Sequence, residues 1–452
     1  MSAMPLLGTE TEYGILAPQR PDVHPSVLSG LVVDGYSGPG TQPRLYWDGP
    51  VPIEDAHNRF LGNGARLYVD HAHPEYSTPE VTTARAALVA ELAGDAIVVE
   101  GAVAAGRALN DPVRLFKNNT DGKGASYGYH ENYLLDRSTP WVRVVEGFLP
   151  FVVTRLPLIG AGRVGLGQTS AKPGFQISQR ADFFEAITGL ETTIRRPLLN
   201  TRDEPHADPA RWRRLHVIAG DANRSHTSTL LKLGTAAAVL SAIDAGVLRP
   251  VRLADPLAAV RTVSRDLNCT ARLALSGGGS MTALQIQVDY RAQLQAAGLG
   301  DPEVMQLWGD ALDGLGRDPL SWLALDWVSK LNLIQSFRRR DALDWDHPRI
   351  AQLDLAYAEL AERSPFSALV RAGRMPVLVS DGEVRRAVAE PPSDTRAYLR
   401  GRLVGERTSE VNAVDWSYVV MTDRRGRRRI DLDDPLTGSD QDVRDRGGLN
   451  EY

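Results

Sequence analysis

The sequence predicts an α+β protein, with strands concentrated in the first half of the chain and helices in the second. Polar and apolar residues alternate in segments 7–16, 65–70 and 215–219, as they do in strands with one buried face. Longer apolar segments at helical spacing, 85–109, 230–245 and 320–337, predict helices. Because strands 7–16 and 65–70 follow each other without a predicted helix between them and helices dominate after residue 230, the pattern favours α+β over a parallel α/β fold.

The segment 63–76 is the most informative strand. Its predicted polar face carries Arg66, Tyr68 and Asp70 in a row, and its other face is apolar. Pro74 is expected to end the ladder, with Glu75 just past the bend. A cation, a phenol and two carboxylates so close together suit a metal or polyphosphate site. An edge strand with a solvated polar face is the alternative that these residues leave open.

A second predicted strand, 7–16, repeats this design. Glu10 and Glu12 share one face, flanked by Gly8 and Gly14. Two carboxylates on one strand face repel each other unless a cation or an arginine lies between them. The glycines leave space above them for a ligand. Two polar-faced strands together favour a site over a pair of exposed edges.

Residues 17–62 connect these two strands and are rich in Pro, Gly, Asp and Ser. A connection of this length without clear elements is typical of a lid or a regulatory loop. The segment is therefore predicted to be a mobile flap that tunes access to the site and is dispensable for folding. A passive surface insertion is the alternative.

Further site candidates lie in charged blocks between 115 and 223. His130 and Asn132 would share one face of a strand, with Glu131 opposite, and Arg202, His206 and His216 follow in later blocks. Any single histidine is more often structural. The clustering of histidines in charged blocks predicts a site built from several strands.

The last part of the chain differs in character. Asp301-Pro302 and Asp318-Pro319 predict helix starts, the second for a helix over 320–337. Trp416 lies in an apolar segment, 411–421, that is predicted to be one strand. Its indole could stack on a nucleobase or join a core. The predicted division is a domain of residues 1–375, containing the 17–62 insertion, and a small C-terminal domain of residues 376–452.

Composition excludes several classes of protein. A formal net charge of −5 predicts no general affinity for nucleic acid. The one cysteine, Cys269, excludes an internal disulfide and a Cys-based zinc site, and fits a cytoplasmic protein. No 18-residue apolar run is present, so no membrane span is expected.

Several of these blocks together resemble the Pup branch of the glutamine synthetase-like carboxylate–amine ligase superfamily, which holds Pup–protein ligases and Pup deamidases/depupylases. The matching stretches are residues 8–14, 63–76, 117–133, 174–180, 200–221 and 326–330. The resemblance implies a curved antiparallel β-sheet cradle backed by helices, with a small C-terminal domain.

Two details resemble the depupylase type within that family. The chain reads Asp70-His71-Ala72-His73-Pro74-Glu75, one residue shorter than is usual in the ligase type, and has Thr9 where ligases usually have Ile. Depupylases also carry an insertion at the place of residues 17–62. The Pup–protein ligase, which forms the bond through a glutamyl phosphate, is the alternative.

The resemblance also implies roles for individual residues. Glu10, Tyr68 and Glu75 match magnesium-binding positions, and Asp70 matches the catalytic aspartate. Arg66 and Thr78 match ATP-contacting positions, and Trp416 the adenine-side residue. Further substrate or phosphate contacts are expected from Glu12, His130, Asn132, Arg202, His206 and His216.

The implied activity is hydrolysis, with Mg²⁺ and ATP as cofactors. A depupylase cleaves the isopeptide bond between the Pup C-terminal glutamate side chain and a substrate lysine, and converts a C-terminal glutamine of Pup to glutamate. The implied partners are Pup and pupylated proteins, with the proteasomal ATPase as an indirect one. Asp70 could act as nucleophile or as general base. A glutamate–cysteine-type ligase and a non-enzymatic Pup adaptor are further alternatives.

Overall fold

The computed structural model describes residues 5–41 and 56–452. These residues form two compact units. The first unit comprises Leu6–Phe116, Glu204–Arg213 and Val379–Tyr452, and the second is built mainly from Lys117–Asp203 and Arg214–Leu378. The division into domains 1–375 and 376–452 stays a prediction.

The first unit is built on antiparallel strands with two helices beside them. The strands in its N-terminal part are β1 (Leu6–Glu12), β2 (Gly14–Leu16), β3 (Asn58–Phe60), β4 (Arg66–Asp70), β5 (His73–Ser77) and β6 (Arg114–Phe116). Four of them are hydrogen-bonded in the order β1-β5-β4-β3, and β2 pairs with β6. The helices are α1 (Pro25–Gly35) and α2 (Ala84–Leu109). The alternation predicted for 65–70 is confirmed, since Leu67 and Val69 are buried while Arg66, Tyr68 and Asp70 are partly exposed.

Helix α1 corrects the prediction of a mobile flap for residues 17–62. Val32 and Val33 on this helix are fully buried, and Arg59 donates hydrogen bonds to the carbonyls of Val33 and Tyr36 at 3.2 and 2.7 Å. The prediction failed because Pro25 opens a helix at its first turn, where a proline is favourable. Residues 42–55 of the predicted flap lie outside the described residues.

Close packing of α1 on α2 leads to a stability prediction. A Cβ added at Gly101 of α2 would lie 2.2 Å from the Val32 carbonyl oxygen, a backbone atom that cannot rotate away. Gly101→Val is expected to lower the free energy of unfolding by about 1–3 kcal/mol, because the helices must separate. Thermal melts check this, with Val103→Ala on the exposed side of α2 as the control. An unchanged melting temperature in Gly101→Val would mean that α1 is not part of the folded core.

The second unit contains a strand group and most of the helices. Its strands are β7 (Tyr129–Asp136), β8 (Arg163–Leu166), β9 (Lys172–Gln176), β10 (Ala186–Gly189), β11 (Pro197–Asn200), β12 (Trp212–Val217), β13 (Arg272–Ala274) and β14 (Ser280–Thr282). Strands β7, β12, β11 and β10 follow one another in hydrogen-bonded order, and the pair β10–β11 is parallel.

The helices of this unit are α3 (Trp141–Thr154), α4 (Leu156–Ile159), α5 (His226–Asp244), α6 (Pro256–Arg265), α7 (Ala283–Ala296), α8 (Pro302–Arg317), α9 (Asp326–Asp341), α10 (Pro348–Ala358) and α11 (Pro365–Arg371). All residues of α5 from Thr227 to Ile243 are buried, so this helix is the centre of the unit's core. No helix among the described residues is long and apolar enough to cross a membrane.

The predicted helix over 320–337 begins later than expected, at Asp326. Asp318 does accept a hydrogen bond from the Leu320 amide, but it caps only a 3₁₀ turn over Pro319–Ser321. The chain then turns, and the Asp326 carboxylate accepts from the backbone amides of Arg224 and Ser225. This buried long-range contact, which local sequence does not reveal, sets the start of α9.

The C-terminal part of the first unit adds helices and a small sheet. The elements are α12 (Asp381–Ala389), α13 (Ala397–Glu406), β15 (Val411–Asp415), β16 (Tyr418–Asp423), β17 (Gly426–Asp431) and α14 (Asp440–Asp445). The segment 411–421 is therefore two strands and not one. Asp415 pairs with Tyr418, so Trp416 lies in the two-residue turn between β15 and β16.

Candidate active site

The antiparallel register of the first unit brings polar residues from four strands into two cross-strand rows. Glu12 of β1 lies opposite Glu75 of β5, Glu75 opposite Tyr68 of β4, and Tyr68 opposite Asn58 of β3. The next row contains Glu10, Ser77, Arg66 and Phe60 in the same order. Residues directly opposite in antiparallel strands have Cβ atoms about 4.5–5.5 Å apart. The polar residues of the two strands predicted from sequence therefore lie in neighbouring rows of one sheet, with β5 between the two strands.

Three carboxylates form the centre of this site. One oxygen each from Glu12, Asp70 and Glu75 lies within 4.8 Å of the others. Glu12 and Glu75 are buried, at 8% and 2% exposure, while the Asp70 side chain is 37% exposed. Asp70 is therefore the member of the cluster that a large substrate can reach.

Crowding changes the protonation of this cluster. Burial, followed by the negative charges of Glu12, Glu10 and Asp70, raises the pKa of Glu75 well above its ordinary value, and a hydrogen bond with Tyr68 partly offsets this. Burial and the charges of Glu75 and Glu10 raise the pKa of the Tyr68 phenol as well. Tyr68 is therefore a neutral phenol near neutral pH.

The donor set fits a hard divalent cation. Magnesium prefers carboxylate oxygens, and like charges directly opposite on a sheet are destabilising without a cation between them. Glu12 and Glu75, the two buried members, would hold such an ion directly, with the Asp70 carboxylate beside it. Glu10 adds charge beside them, and Tyr68 can contribute only a neutral oxygen.

The turn that follows Asp70 corrects the prediction that Pro74 ends the ladder. Asp70 pairs with His73 across the two-residue turn His71-Ala72, and Pro74 lies inside β5 opposite Val69. The ladder tolerates the proline because the Tyr13 carbonyl oxygen lies 3.0 Å from His73 Nδ1. The imidazole takes the place of the missing amide donor, so Glu75 belongs to the sheet and not to a bend.

An aromatic and cationic cluster lies around Trp416. The Phe60 and Trp416 rings meet edge to face at 5.1 Å, and the Arg400 guanidinium lies 4.8 Å from the Trp416 ring centre. Arg66 lies 4.1 Å from the Tyr68 ring centre and donates to Asn58 Oδ1 at 2.9 Å. A flat, half-buried indole near an arginine suits a nucleobase with its phosphates.

Buried ion pairs hold this cluster in place. Glu80 accepts from Arg396 Nε at 2.7 Å and from Arg400 Nη1 at 3.2 Å. Burial alone would raise the pKa of Glu80, but the attraction of Arg400 and Arg396 outweighs it and lowers the pKa to about 2. Arg400 also donates to the carbonyls of Gly64 and Trp416. Glu80 therefore remains charged at all ordinary pH values.

The predicted residues His130, Asn132 and His216 come together in the second unit. The two imidazole rings are 4.7 Å apart, and Asn132 Oδ1 lies 2.9 Å from His216 Nδ1 and accepts from Arg214 at 3.0 Å. An amide oxygen only accepts, so His216 Nδ1 carries a proton, and a neutral ring then presents Nε2 as its acceptor. On the opposite face of β7, Glu131 forms a fully buried ion pair with Arg155.

The remaining predicted residues have separate surroundings. Thr78 is buried, and its hydroxyl oxygen accepts from the Thr9 amide at 2.9 Å. Arg202 and His206 are exposed on the connection between β11 and β12. The His206 carbonyl accepts from Arg396 at 2.6 Å. The catalytic, metal and nucleotide roles of these residues stay predictions.

Sequence reasoning missed the residues that support the site. Asn58, Phe60 and Ser77 occupy its cross-strand rows, and Glu80 and Arg400 hold Trp416. Arg400 stands in a basic stretch that is visible in the sequence, but nothing local indicates a partner 320 positions earlier. The alternation around β3 was too short to be recognised.

The family model described as Pup-ligase protein matches residues 5–420. The chain belongs to this family. Its match spans both units and includes every residue of the carboxylate cluster.

Individual members of the family have been named for two activities. A depupylase from Acidothermus cellulolyticus is 43% identical over 97% of this chain and 96% of its own. A Pup deamidase/depupylase from Mycolicibacterium smegmatis is 43% identical over 96% of this chain and 95% of its own. A Pup–protein ligase from Acidimicrobium ferrooxidans is 38% identical over 97% of both chains.

Solved structures agree with the sequence relationship. The Pup ligase PafA in complex with Pup superposes with a TM-score of 0.85 at 34% identity, covering 98% of this chain and 91% of that chain. PafA in complex with ADP gives 0.78 at 37% identity, covering 86% and 88%. The α+β fold class predicted from the sequence is confirmed.

Proposed function

We propose that this protein is a Pup deamidase and depupylase that uses Mg-ATP as a cofactor. It hydrolyses the isopeptide bond between the C-terminal glutamate side chain of Pup and a substrate lysine, and it deamidates a C-terminal glutamine of Pup. The observation that carries the proposal is the partly exposed Asp70 carboxylate beside the buried Glu12 and Glu75. Relatives named as depupylases, at 42–43% identity, support it.

Amide hydrolysis needs a nucleophile and stabilisation of the oxyanion that develops on the carbonyl. Asp70 attacks the carbonyl carbon itself or removes a proton from an attacking water. In either case the carbon–nitrogen bond breaks, a water oxygen ends on the Pup carboxylate, and the lysine amine or ammonia leaves with a proton. A magnesium ion bound here would supply the positive charge that offsets the carboxylate cluster and polarises the carbonyl.

The chain's own residues set the conditions for this chemistry. Glu75 and Glu12 are too buried to meet a protein substrate, so their role is to hold the cation beside Asp70. Trp416 and Arg66 offer a surface for the nucleotide, and the buried Phe60 ring packs against the indole. Because hydrolysis is downhill, the nucleotide acts as an organising cofactor and need not be consumed in each turnover.

The decisive assay incubates the protein and Mg-ATP with Pup ending in glutamine, and separately with a pupylated protein. Mass spectrometry is expected to show the mass gain of amide-to-acid conversion, and gel electrophoresis the release of the substrate protein. Reactions without nucleotide or with excess EDTA are the controls. Absence of both products from the complete mixture would refute the proposal.

A Pup–protein ligase is the second candidate, because the structures that superpose well are ligases. The same carboxylate cluster would then act on a glutamyl phosphate. Pup ending in glutamate, an acceptor protein and Mg-ATP test this directly. A stable conjugate, without cleavage of pupylated protein, would favour the ligase.

A further inference from the structure

Helix α1 makes two hydrogen bonds to the turn that carries Asp70. Ser29 Oγ donates to the Ala72 carbonyl at 2.9 Å, and Ser26 Oγ donates to the His71 carbonyl at 3.3 Å. Ser29 is fully buried. Two successive carbonyls of one tight turn are therefore held by one helix that lies 43 and 45 positions away along the chain.

The turn needs such support because its backbone is strained. His71 has a φ of 54°, in the left-handed region where residues other than glycine are uncommon. A strained residue of this kind persists only when its surroundings impose the conformation. Since Asp70 directly precedes His71, the conformation of the turn sets the direction of the Asp70 carboxylate.

Helix α1 is itself rigidly placed, so its serines are fixed donors. A Cβ at Gly30 would lie 2.8 Å from the His57 ring, and a Cβ at Gly35 would lie 2.6 Å from the Gly101 carbonyl oxygen. Such close approach leaves the helix no room to slide. The His57 carbonyl in turn accepts from the Val69 amide of β4, the strand that ends at Asp70.

We propose that Ser29, assisted by Ser26, is a positioning residue that clamps the His71-Ala72 turn and thereby holds the Asp70 carboxylate in its reactive direction. Helix α1 then serves catalysis as a fixed brace. The inference rests on the proposed catalytic role of Asp70. It assigns no direct contact with substrate to either serine.

The test is Ser29→Ala, with Ser29→Thr to restore the hydroxyl. The expected result is a fall in kcat of about 10- to 100-fold, because small misplacements of a reacting group are costly. The KM for Pup and the affinity for Mg-ATP should change less than about twofold, since the fully buried Ser29 side chain is out of reach of either ligand. Ser29→Thr should recover most of kcat. Amide hydrogen exchange in residues 67–77 should be faster in Ser29→Ala.

A matched control separates positioning from a general loss of stability. Ser241 is a buried helical serine whose hydroxyl donates to the Ala237 carbonyl at 3.0 Å in the core of α5. Ser241→Ala should lower the melting temperature to a similar degree and leave kcat unchanged. If Ser29→Ala does not fold, Ser29→Cys fills the site with a slightly larger side chain, weakens the hydrogen bond and provides the same test.

The outcomes distinguish this inference from the proposed function. Wild-type kcat in a folded Ser29→Ala or Ser29→Cys overturns the clamp, and so does an equal loss of kcat in Ser241→Ala. If the wild-type protein neither deamidates nor cleaves, the proposed function fails. Hydrogen exchange in residues 67–77 then still decides the clamp, because unchanged exchange in Ser29→Ala refutes it.

Discussion

Asp70→Asn is expected to abolish both deamidation and isopeptide cleavage, with a loss of turnover of about 10³-fold or more. Asparagine keeps the size of the side chain but can neither attack a carbonyl nor accept a proton from water. Because the Asp70 side chain is 37% exposed and only its charge changes, the fold should not suffer. Single-turnover cleavage of a pupylated protein and mass spectrometry of glutamine-ended Pup measure the loss.

Two measurements exclude trivial causes for this loss. The melting temperature should be equal to or above that of the wild type, because a like charge leaves the carboxylate cluster. Calorimetry should show that Mg-ATP still binds. Turnover near the wild-type rate would mean that Asp70 is not the catalytic group and that the proposed mechanism is wrong.

Glu10→Ala and Glu75→Ala are expected to weaken Mg-ATP binding by about tenfold or more, with the larger effect at Glu75. Glu75 is central to the cluster, with Glu12 opposite it on one strand and Tyr68 on the other. Its removal takes a buried oxygen ligand from the cation. Calorimetric titration with Mg-ATP measures the change. Unchanged affinity in both variants would show that these carboxylates are structural.

Removing the charge of Glu75 is expected to raise the melting temperature when EDTA removes the metal. Burial, with the charges of Glu12, Glu10 and Asp70, raises the pKa of Glu75 above the ordinary 4.5, so its ionisation destabilises the metal-free fold as the pH rises past that value. Glu75→Gln should therefore melt several degrees above the wild type at neutral pH in EDTA, and lose this advantage at about pH 4. In Mg-ATP the order should reverse. A lower melting temperature in EDTA would mean that Glu75 is stabilised by a partner other than a cation.

The local pattern of the chain was enough to predict the strands that carry the site. Successive side chains of a strand point to opposite faces whatever packs against the strand. Alternation in Arg66 to Asp70 and around Glu10 and Glu12 therefore predicted these strands without knowledge of their neighbours. The same holds for helix α2, whose apolar side follows a period of 3.6.

Only the tertiary structure decided which of these residues meet. Glu12 lies opposite Glu75 because the register between β1 and β5 is set by long-range pairing, and a shift of one residue would turn every side chain to the other face. Long-range pairing is also the reason why the sequence did not reveal the contact of Arg400 with Glu80. For the same reason the sequence predicted a flap where the structure has helix α1. Periodicity records which face a residue takes, whereas packing between distant segments decides what that face touches. That is the physical reason why the Ser29 hydrogen bond to the Asp70 turn could not be predicted from the sequence.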